Sequence, residues 1–444
     1  MQKKSLGFAT STAISTTYTL SFLGLVFIAK ISQQYLFPLP GTDAVWYLSP
    51  MCEFLRGHWF HNGFANQDTT FFLGYCSLIT PFFILLNGST YFLFFFYDLL
   101  NVFILFMLWK LLRKTFTDRQ SLPFMLVFLC TPIFWHYRPE QLIFLLFVVL
   151  FLIKDKPGLA IMLTVVLALV HPFAGLVAAI ILVEANWHGN KRKLLRIGVA
   201  AAVIYLLCIF WASHFVDVSK STGTLADMMQ TRLENFSLRN FVEFFKYSFP
   251  IVLFSLACVW GYLKANPKQC ILMVAFAMFC LFMNKPYYFY YLDFYLLWKV
   301  SVHGMWPKVK WMYAPLLVSA LGINVAKPFY PFLFENGMDE SQQIHKILNK
   351  LESLSMEITY RQIHIPANFA TPLLSNENVR MLYFNNHTPS FTTLPKPGDY
   401  IFLQHPYQVA ELQNAYPNLL IDSSYLIHDE TGREHYCLIQ LEVQ

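Results

Sequence analysis

Asp43 is the residue that type and spacing mark first for chemistry. It lies in Gly41-Thr42-Asp43-Ala44-Val45-Trp46-Tyr47-Leu48, shortly after a long apolar stretch, and the run from Asp43 to Glu53 has helical character. A carboxylate there can take a proton from a substrate hydroxyl that comes within hydrogen-bond reach. Asp43, or Thr42, can equally begin an interfacial helix as its N-cap. A second polar element, His136-Tyr137-Arg138-Pro139-Glu140, separates two apolar runs. The planar fork of Arg138 suits a phosphate, and Glu140 can orient hydroxyl groups. Alternatively the two neutralise each other, with Glu140 near the positive end of a helix.

Further polar residues stand at the ends of apolar runs. His171-Pro172 closes one run and either lines a cavity or is a turn histidine. In Asn284-Lys285-Pro286-Tyr287-Tyr288, Lys285 and Tyr287 can meet a lipid phosphate, or form an interfacial aromatic belt with a snorkelling lysine. Asp98 and Asp293 lie inside apolar runs and require partners. Arg232 and Arg239 can meet a phosphate head group or sit in a solvated loop. His58, His61 and Asp68 are irregularly spaced, so no metal site is indicated, and nothing points to a cofactor. The eight cysteines contain no CxxC pair. Cys130, Cys208, Cys258, Cys270 and Cys280 lie in or beside apolar runs, whereas Cys52 and Cys437 are expected outside the bilayer, where a disulfide between them is conceivable but not favoured.

The elements that must position these residues are membrane helices. The chain is 56% hydrophobic, 18% aromatic and only 13% charged, whereas soluble domains carry about 25% charged residues. Runs such as Tyr91 to Trp109 and Ile197 to Ala212 approach the ~20 residues needed to cross a bilayer as a helix. Spans are expected at about 10–31, 89–112, 121–136, 140–153, 157–171, 173–187, 194–213, 247–264, 269–284, 287–303 and 309–326. Lys3 and Lys4 precede an apolar stretch without a small-residue cleavage site, so the first helix is expected to be retained. The net charge of +6 reflects orientation more than partners. If 71–87 lies at the interface instead of crossing, over half of the 32 basic residues gather on one side, in six short segments. That arrangement gives eleven spans, a cytoplasmic N-terminus and an extracytoplasmic C-terminus. No basic aromatic stripe suggests nucleic acid.

Composition changes near residue 327. Ser341 to Leu354 reads as an amphipathic helix, Met381 to Phe384 and Tyr400 to Leu403 as strands, and Gln408 to Tyr416 as a helix. Ser423 to Ile427 and His435 to Leu441 flank a turn at Asp429-Glu430-Thr431-Gly432. The expected architecture is an α-helical polytopic membrane bundle over 1–326, with a first outer loop at 33–88, followed by a small extracytoplasmic α/β domain over 327–444.

Asp43, Tyr47, Leu55, Gly57 and Trp59, directly after the first span, resemble the first outer loop of the GT-C superfamily. Those enzymes are polyprenyl-phosphate-sugar-dependent glycosyltransferases, among them protein mannosyltransferases and lipid A aminoarabinose transferases. The resemblance covers the topology of about the first 190 residues well and the rest loosely. It implies juxtamembrane helices after the first loop, and a short polar outer loop matching His136 to Glu140. There are departures: Leu55 and Gly57 are one residue closer together, Ala44 stands where many members have a second acid, and no Trp-Trp-Asp motif occurs. The implied activity is inverting transfer of a sugar from a polyprenyl-phosphate donor to an extracytoplasmic glycan, lipid or protein. Asp43 would act as base, with Glu140 catalytic beside it and Tyr47, Arg138, His171, Lys285 and Tyr287 binding substrate. A transporter or flippase would instead predict internal repeats and broken helices, and no repeat is found. A polysaccharide polymerase or ligase would predict a large arginine-rich central loop, and the loop at 214–246 is moderate.

Overall fold

The computed structural model describes residues 43–58, 61–64, 67–68, 73–85, 90–117, 139–185, 191–213, 361–365, 379–385, 390–391, 393–403, 405–428 and 434–442, with scattered positions elsewhere. Asp43–Leu55 forms α1, Leu73–Leu85 α2, Thr90–Leu112 α3, Pro139–Ile153 α4, Pro157–Val170 α5, Pro172–Ala185 α6 and Lys191–Ser213 α7. These bounds lie within a few residues of the helices expected from the sequence. Proline opens α4, α5 and α6, where its missing N–H costs nothing and its fixed φ suits the first turn. The connections are therefore short, and His171 alone separates α5 from α6.

Phe95–Leu112 of α3 is, among the described residues, the helix long and apolar enough to cross a membrane by itself. The apolar helices α4, α5 and α6 have 15, 14 and 14 residues, and α2 has 13. Length does not separate α2 from the others, and like α6 it packs closely on α5. A Cβ on Gly74 would lie 2.6 Å from the carbonyl carbon of Leu169, so the first turn of α2 rests directly on the last turn of α5. Gly175 of α6 makes a comparable approach to Ala168 of α5. Small residues let helix backbones touch where lipid offers no hydrophobic drive for association.

Around the expected span 287–303, the described residues Tyr291, Phe294, Tyr295, Trp298 and Lys299 are helical and buried. Their spacing is one helical face. Phe294 stacks on Phe144 and Phe147 of α4 at 4.8 Å each, and Trp298 stacks on Phe151 at 5.6 Å. At the far end of this stripe Lys299 Nζ pairs with Glu184 Oε2 at 2.7 Å, and the Tyr295 hydroxyl donates to Glu184 Oε1 at 2.8 Å. Lys154, Lys110 and Arg113 lie over the rings of Trp298, Phe106 and Trp109 at 4.8 to 4.9 Å. One end of the bundle is thus basic, and three of its cations lie over aromatic faces. Phe27 of the N-terminal helix meets Phe95 of α3 at 6.0 Å.

Residues 361–441 contain a six-stranded mixed sheet of order β5-β4-β3-β6-β8-β7. The strands are Arg361–Ile365 (β3), Val379–Asn385 (β4), Ser390–Phe391 (β5), Tyr400–Leu403 (β6), Ile421–His428 (β7) and Glu434–Leu441 (β8). β1 (His61–Asn62) and β2 (Gln67–Asp68) form a separate hairpin. All four residues of β6 are buried, which explains their unbroken apolar run. Gln408–Ala415 (α8) places Leu412 against Ile401, Leu403, Cys437, Ile439 and Leu441.

Cys52 and Cys437 do not pair, as the sequence reading favoured. Both thiols are free, Cys52 buried in α1 and Cys437 in the sheet core. The expected spans 247–264 and 269–284, the loop 214–246 and most of 121–136, 309–326 and 341–354 lie outside the described residues.

Replacing Gly74 with alanine should force α2 off α5 and cost about 1–3 kcal/mol. Gly158→Ala meets nothing within 4 Å of the added carbon and should be neutral or stabilising by up to ~1 kcal/mol. Thermal unfolding of the two variants in one detergent tests this. Equal melting temperatures would refute the close approach.

Candidate active site

The end of the bundle opposite the basic residues gathers most of the described candidate residues. α1 begins at Asp43, and Tyr47 follows one turn later, half-buried. The Tyr47 ring stands edge-on to Tyr75 of α2 at 6.1 Å. Tyr75 is fully buried and its hydroxyl has no hydrogen-bond partner. It follows Gly74, whose contact lies on Leu169 and Val170, directly before His171. One short path of contacts therefore runs from α1 through α2 to the α5–α6 turn.

α1 is fixed by its own C-terminus. Gly57 has φ of 84°, its N–H bonds the Phe54 carbonyl, and the His58 N–H bonds the Glu53 carbonyl at 2.9 Å. This is a Schellman stop, which needs glycine at the left-handed position. It brings His58 back over Glu53. Glu53 Oε2 meets His58 Nδ1 at 2.9 Å and Oε1 meets Arg56 at 2.7 Å, while Gly63 packs against the same carboxylate. Burial pushes the Glu53 carboxyl up, but the hydrogen bond from His58 and the charge of Arg56 outweigh it and hold it below its ordinary value. The hairpin then folds onto α1. Phe64 N–H donates to Ser49 Oγ at 2.9 Å, Asn62 Nδ2 donates to the Trp46 carbonyl at 3.2 Å, and Trp46 meets Phe64 edge-on. Cys52 is buried within this unit, which pushes its thiol up to about 12.

His171 is buried between α5 and α6. Its Nδ1 accepts the Phe173 N–H at 3.3 Å, so the proton of the neutral ring sits on Nε2. Its ring lies 5.5 Å from Tyr291. The turn role expected from the sequence is present, and Nε2 is the atom left for other contacts.

Glu140 stands in the first turn of α4, 2% exposed, with Gln141 beside it at 1%. Tyr97 of α3 lies within electrostatic range of Glu140. Asp98 and Asn101 are buried on the same helix. The links Phe144 to Phe294, Phe294 to Tyr291 and Tyr291 to His171 place Glu140 and His171 at one end of the bundle. The structure thus groups Tyr47, Glu140 and His171 at this end and starts α1 there at Asp43. Arg138, Lys285 and Tyr287 lie outside the described residues, as do Arg232, Arg239 and Asp293. Sequence reasoning missed Tyr75, Asn101 and Gln141. The last two carried a signal, since amides within or beside apolar runs call for partners just as Asp98 did.

No family model matches the chain, and no curated protein matches it. Among solved structures it is similar to ArnT from Cupriavidus metallidurans bound to undecaprenyl phosphate, with a TM-score of 0.59 and 12% identity. The match covers 96% of this chain and 98% of that one. The chain therefore shares the fold of that protein over nearly its whole length.

The Glu53 network makes a pH prediction. Its carboxyl is held below its ordinary value of 4.5, so the stabilisation is present above the unfolded value and is lost as pH falls through the folded one. Glu53→Gln should flatten the acid limb of the melting-temperature profile below pH ~4.5 and leave the neutral and alkaline range unchanged in shape. An acid limb identical to that of the unsubstituted protein would remove Glu53 from this role.

Proposed function

We propose that this chain is an integral membrane glycosyltransferase that moves a sugar from a polyprenyl-phosphate donor to an extracytoplasmic glycan, lipid or protein. The observation that carries this reading is the end-to-end fold similarity to a protein bound to undecaprenyl phosphate, joined to an acidic residue opening α1 at the end where Tyr47, Glu140 and His171 gather. On this reading the N-terminus is cytoplasmic, the site end faces outward, and residues 327–444 form an extracytoplasmic domain that helps to present the acceptor.

The chemistry follows from the residue types. The Asp43 carboxylate takes the proton of an acceptor hydroxyl. The acceptor oxygen attacks the anomeric carbon and the bond from that carbon to the phosphate oxygen breaks. Polyprenyl phosphate leaves with the electron pair, and the configuration inverts. Arg138 or Lys285 neutralises the charge on the departing phosphate, so the reading requires no resident metal or cofactor. Positive charge developing on the sugar ring is stabilised by nearby carboxylates, of which Glu140 is the buried example. Tyr47, His171 and Tyr287 complete the substrate contacts.

Asp43→Asn should lower transfer at least 100-fold, the scale of a lost general base, while membrane insertion and melting temperature stay near those of the unsubstituted protein. Release of polyprenyl phosphate by purified protein reports the rate, and envelope glycan analysis with and without the gene reports the acceptor. Unimpaired transfer by Asp43→Asn would remove that residue from the mechanism, and an unchanged glycan profile without the gene would count against the activity itself.

A further inference from the structure

The buried amides of α3 and α4 remain unexplained by the fold. Asn101 is 6% exposed and neither its Oδ1 nor its Nδ2 has a hydrogen-bond partner. Gln141 is 1% exposed and its Oε1 is unpaired. Among the described residues Asn101 is the one with both polar atoms buried and unpaired. Native proteins rarely leave such groups without a partner, because a buried polar atom without a bond loses its hydration uncompensated. In a membrane bundle the same penalty applies to every helix face turned away from water.

Position narrows the choice of partner. α3 and α4 both start at the site end, as the proximity of Tyr97 to Glu140 indicates. Asn101 lies one turn beyond Tyr97, and Gln141 directly follows Glu140. Tyr97, Asp98 and Glu140 have interactions of their own, and Asn101 is the residue here with both polar atoms unpaired. An amide offers a donor and an acceptor together. A sugar hydroxyl does the same, so a pair of amides suits neighbouring ring hydroxyls. An ionised phosphate accepts only and cannot satisfy Oδ1 or Oε1.

We infer that Asn101 and Gln141 form a specificity subsite for the hydroxyls of a neutral sugar carried on the polyprenyl phosphate. This rests on the transferase reading and deepens it. The subsite explains why two polar side chains persist in otherwise apolar helices, and it separates recognition of the sugar from recognition of the phosphate.

The test uses the full-length protein in detergent and measures binding of undecaprenyl phosphate, bare or carrying glucose, mannose, galactose or galacturonic acid. The unsubstituted protein should bind at least one neutral-sugar carrier about 10-fold more tightly than the bare carrier, and the galacturonic acid carrier no better than the bare one. Asn101→Leu and Gln141→Leu should each lose about 10-fold for the favoured sugar carrier and stay within about twofold for the bare carrier. Their unliganded melting temperatures should hold or rise, because an unpaired amide is replaced by a side chain of similar size. Sugar preference unchanged in both variants overturns the subsite while leaving the transferase reading in place. A fall in melting temperature with parallel loss of both ligands also overturns it, by making the amides structural. Tight binding of the galacturonic acid carrier overturns the neutral-sugar class. Failure of the unsubstituted protein to bind any carrier sinks the subsite and the transferase reading together.

Discussion

Gly74 lies so close to the Leu169 carbonyl that even a methyl group would not fit between them. Much of the site end depends on that contact. Tyr75 follows Gly74 and touches Tyr47 of α1, while Val170 follows Leu169 and leads into His171. A backbone-to-backbone seat thus transmits position in two directions within one residue of each partner. Side-chain contacts would leave rotamer freedom, whereas two backbones in contact leave little. In lipid, where apolar side chains gain nothing by leaving their surroundings, such close seats are the main source of helix association. α2, and α1 through it, are held to the bundle by this route.

The two ends of the bundle treat most of their buried polarity differently, although the Trp109 indole N–H at the basic end is also buried without a hydrogen bond. At the basic end Glu184 is paired with Lys299 and bonded by Tyr295, and three cations rest on aromatic rings. At the site end Asn101, Gln141 and Tyr75 keep polar atoms buried and unpaired. Both sets sit in the same apolar surroundings and face the same desolvation cost. A fold optimised only for stability would have paired or removed the second set. Local departures from the rules of stability gather where a protein does its work, and here the asymmetry is between two ends of one bundle.

The sequence made the helices legible because apolar runs, prolines and basic flanks all pointed to the same boundaries. Pro139, Pro157 and Pro172 each open a helix, and a proline reads the same way in sequence and structure. The expected strand Tyr400–Leu403 coincides with β6 because a strand covered on both faces is apolar without interruption. β3 escaped notice for the opposite reason. Arg361-Gln362-Ile363-His364-Ile365 carries only two apolar residues, yet it lies between β4 and β6 with Ile363 and Ile365 buried. Its Gln-Ile-His-Ile alternation is too short to mark a strand alone, and pairing with β4 and β6 supplies the rest. The Glu53 cluster was hidden similarly. Its residues were visible, but their convergence depends on Gly57 turning the chain through a left-handed conformation. Gly74 was invisible because close approach is a property of two segments about 95 residues apart.

Asp43 carries two readings from the sequence, helix start and base; α1 begins there, and on the transferase reading the second role is compatible with the first. A carboxylate at a helix N-terminus is stabilised in its ionised form by the unpaired N–H groups and the aligned peptide dipoles. Ionisation is what a base needs in order to accept a proton, although the same stabilisation lowers its appetite for one. The compromise suits a reaction in which the sugar carbon becomes cationic early. An acceptor hydroxyl then needs a carboxylate that is present, oriented and charged more than one that is strongly basic. Orientation in turn needs α1 to be immobile. That is supplied at its other end, where the Schellman turn at Gly57 and the Arg56–Glu53–His58 cluster close the helix, and along its side, where the hairpin bonds Ser49 and Trp46. On the transferase reading, the first loop owes its elaborate tethering to the demand that one acidic residue at the head of a short helix stay where a lipid-borne sugar can reach it.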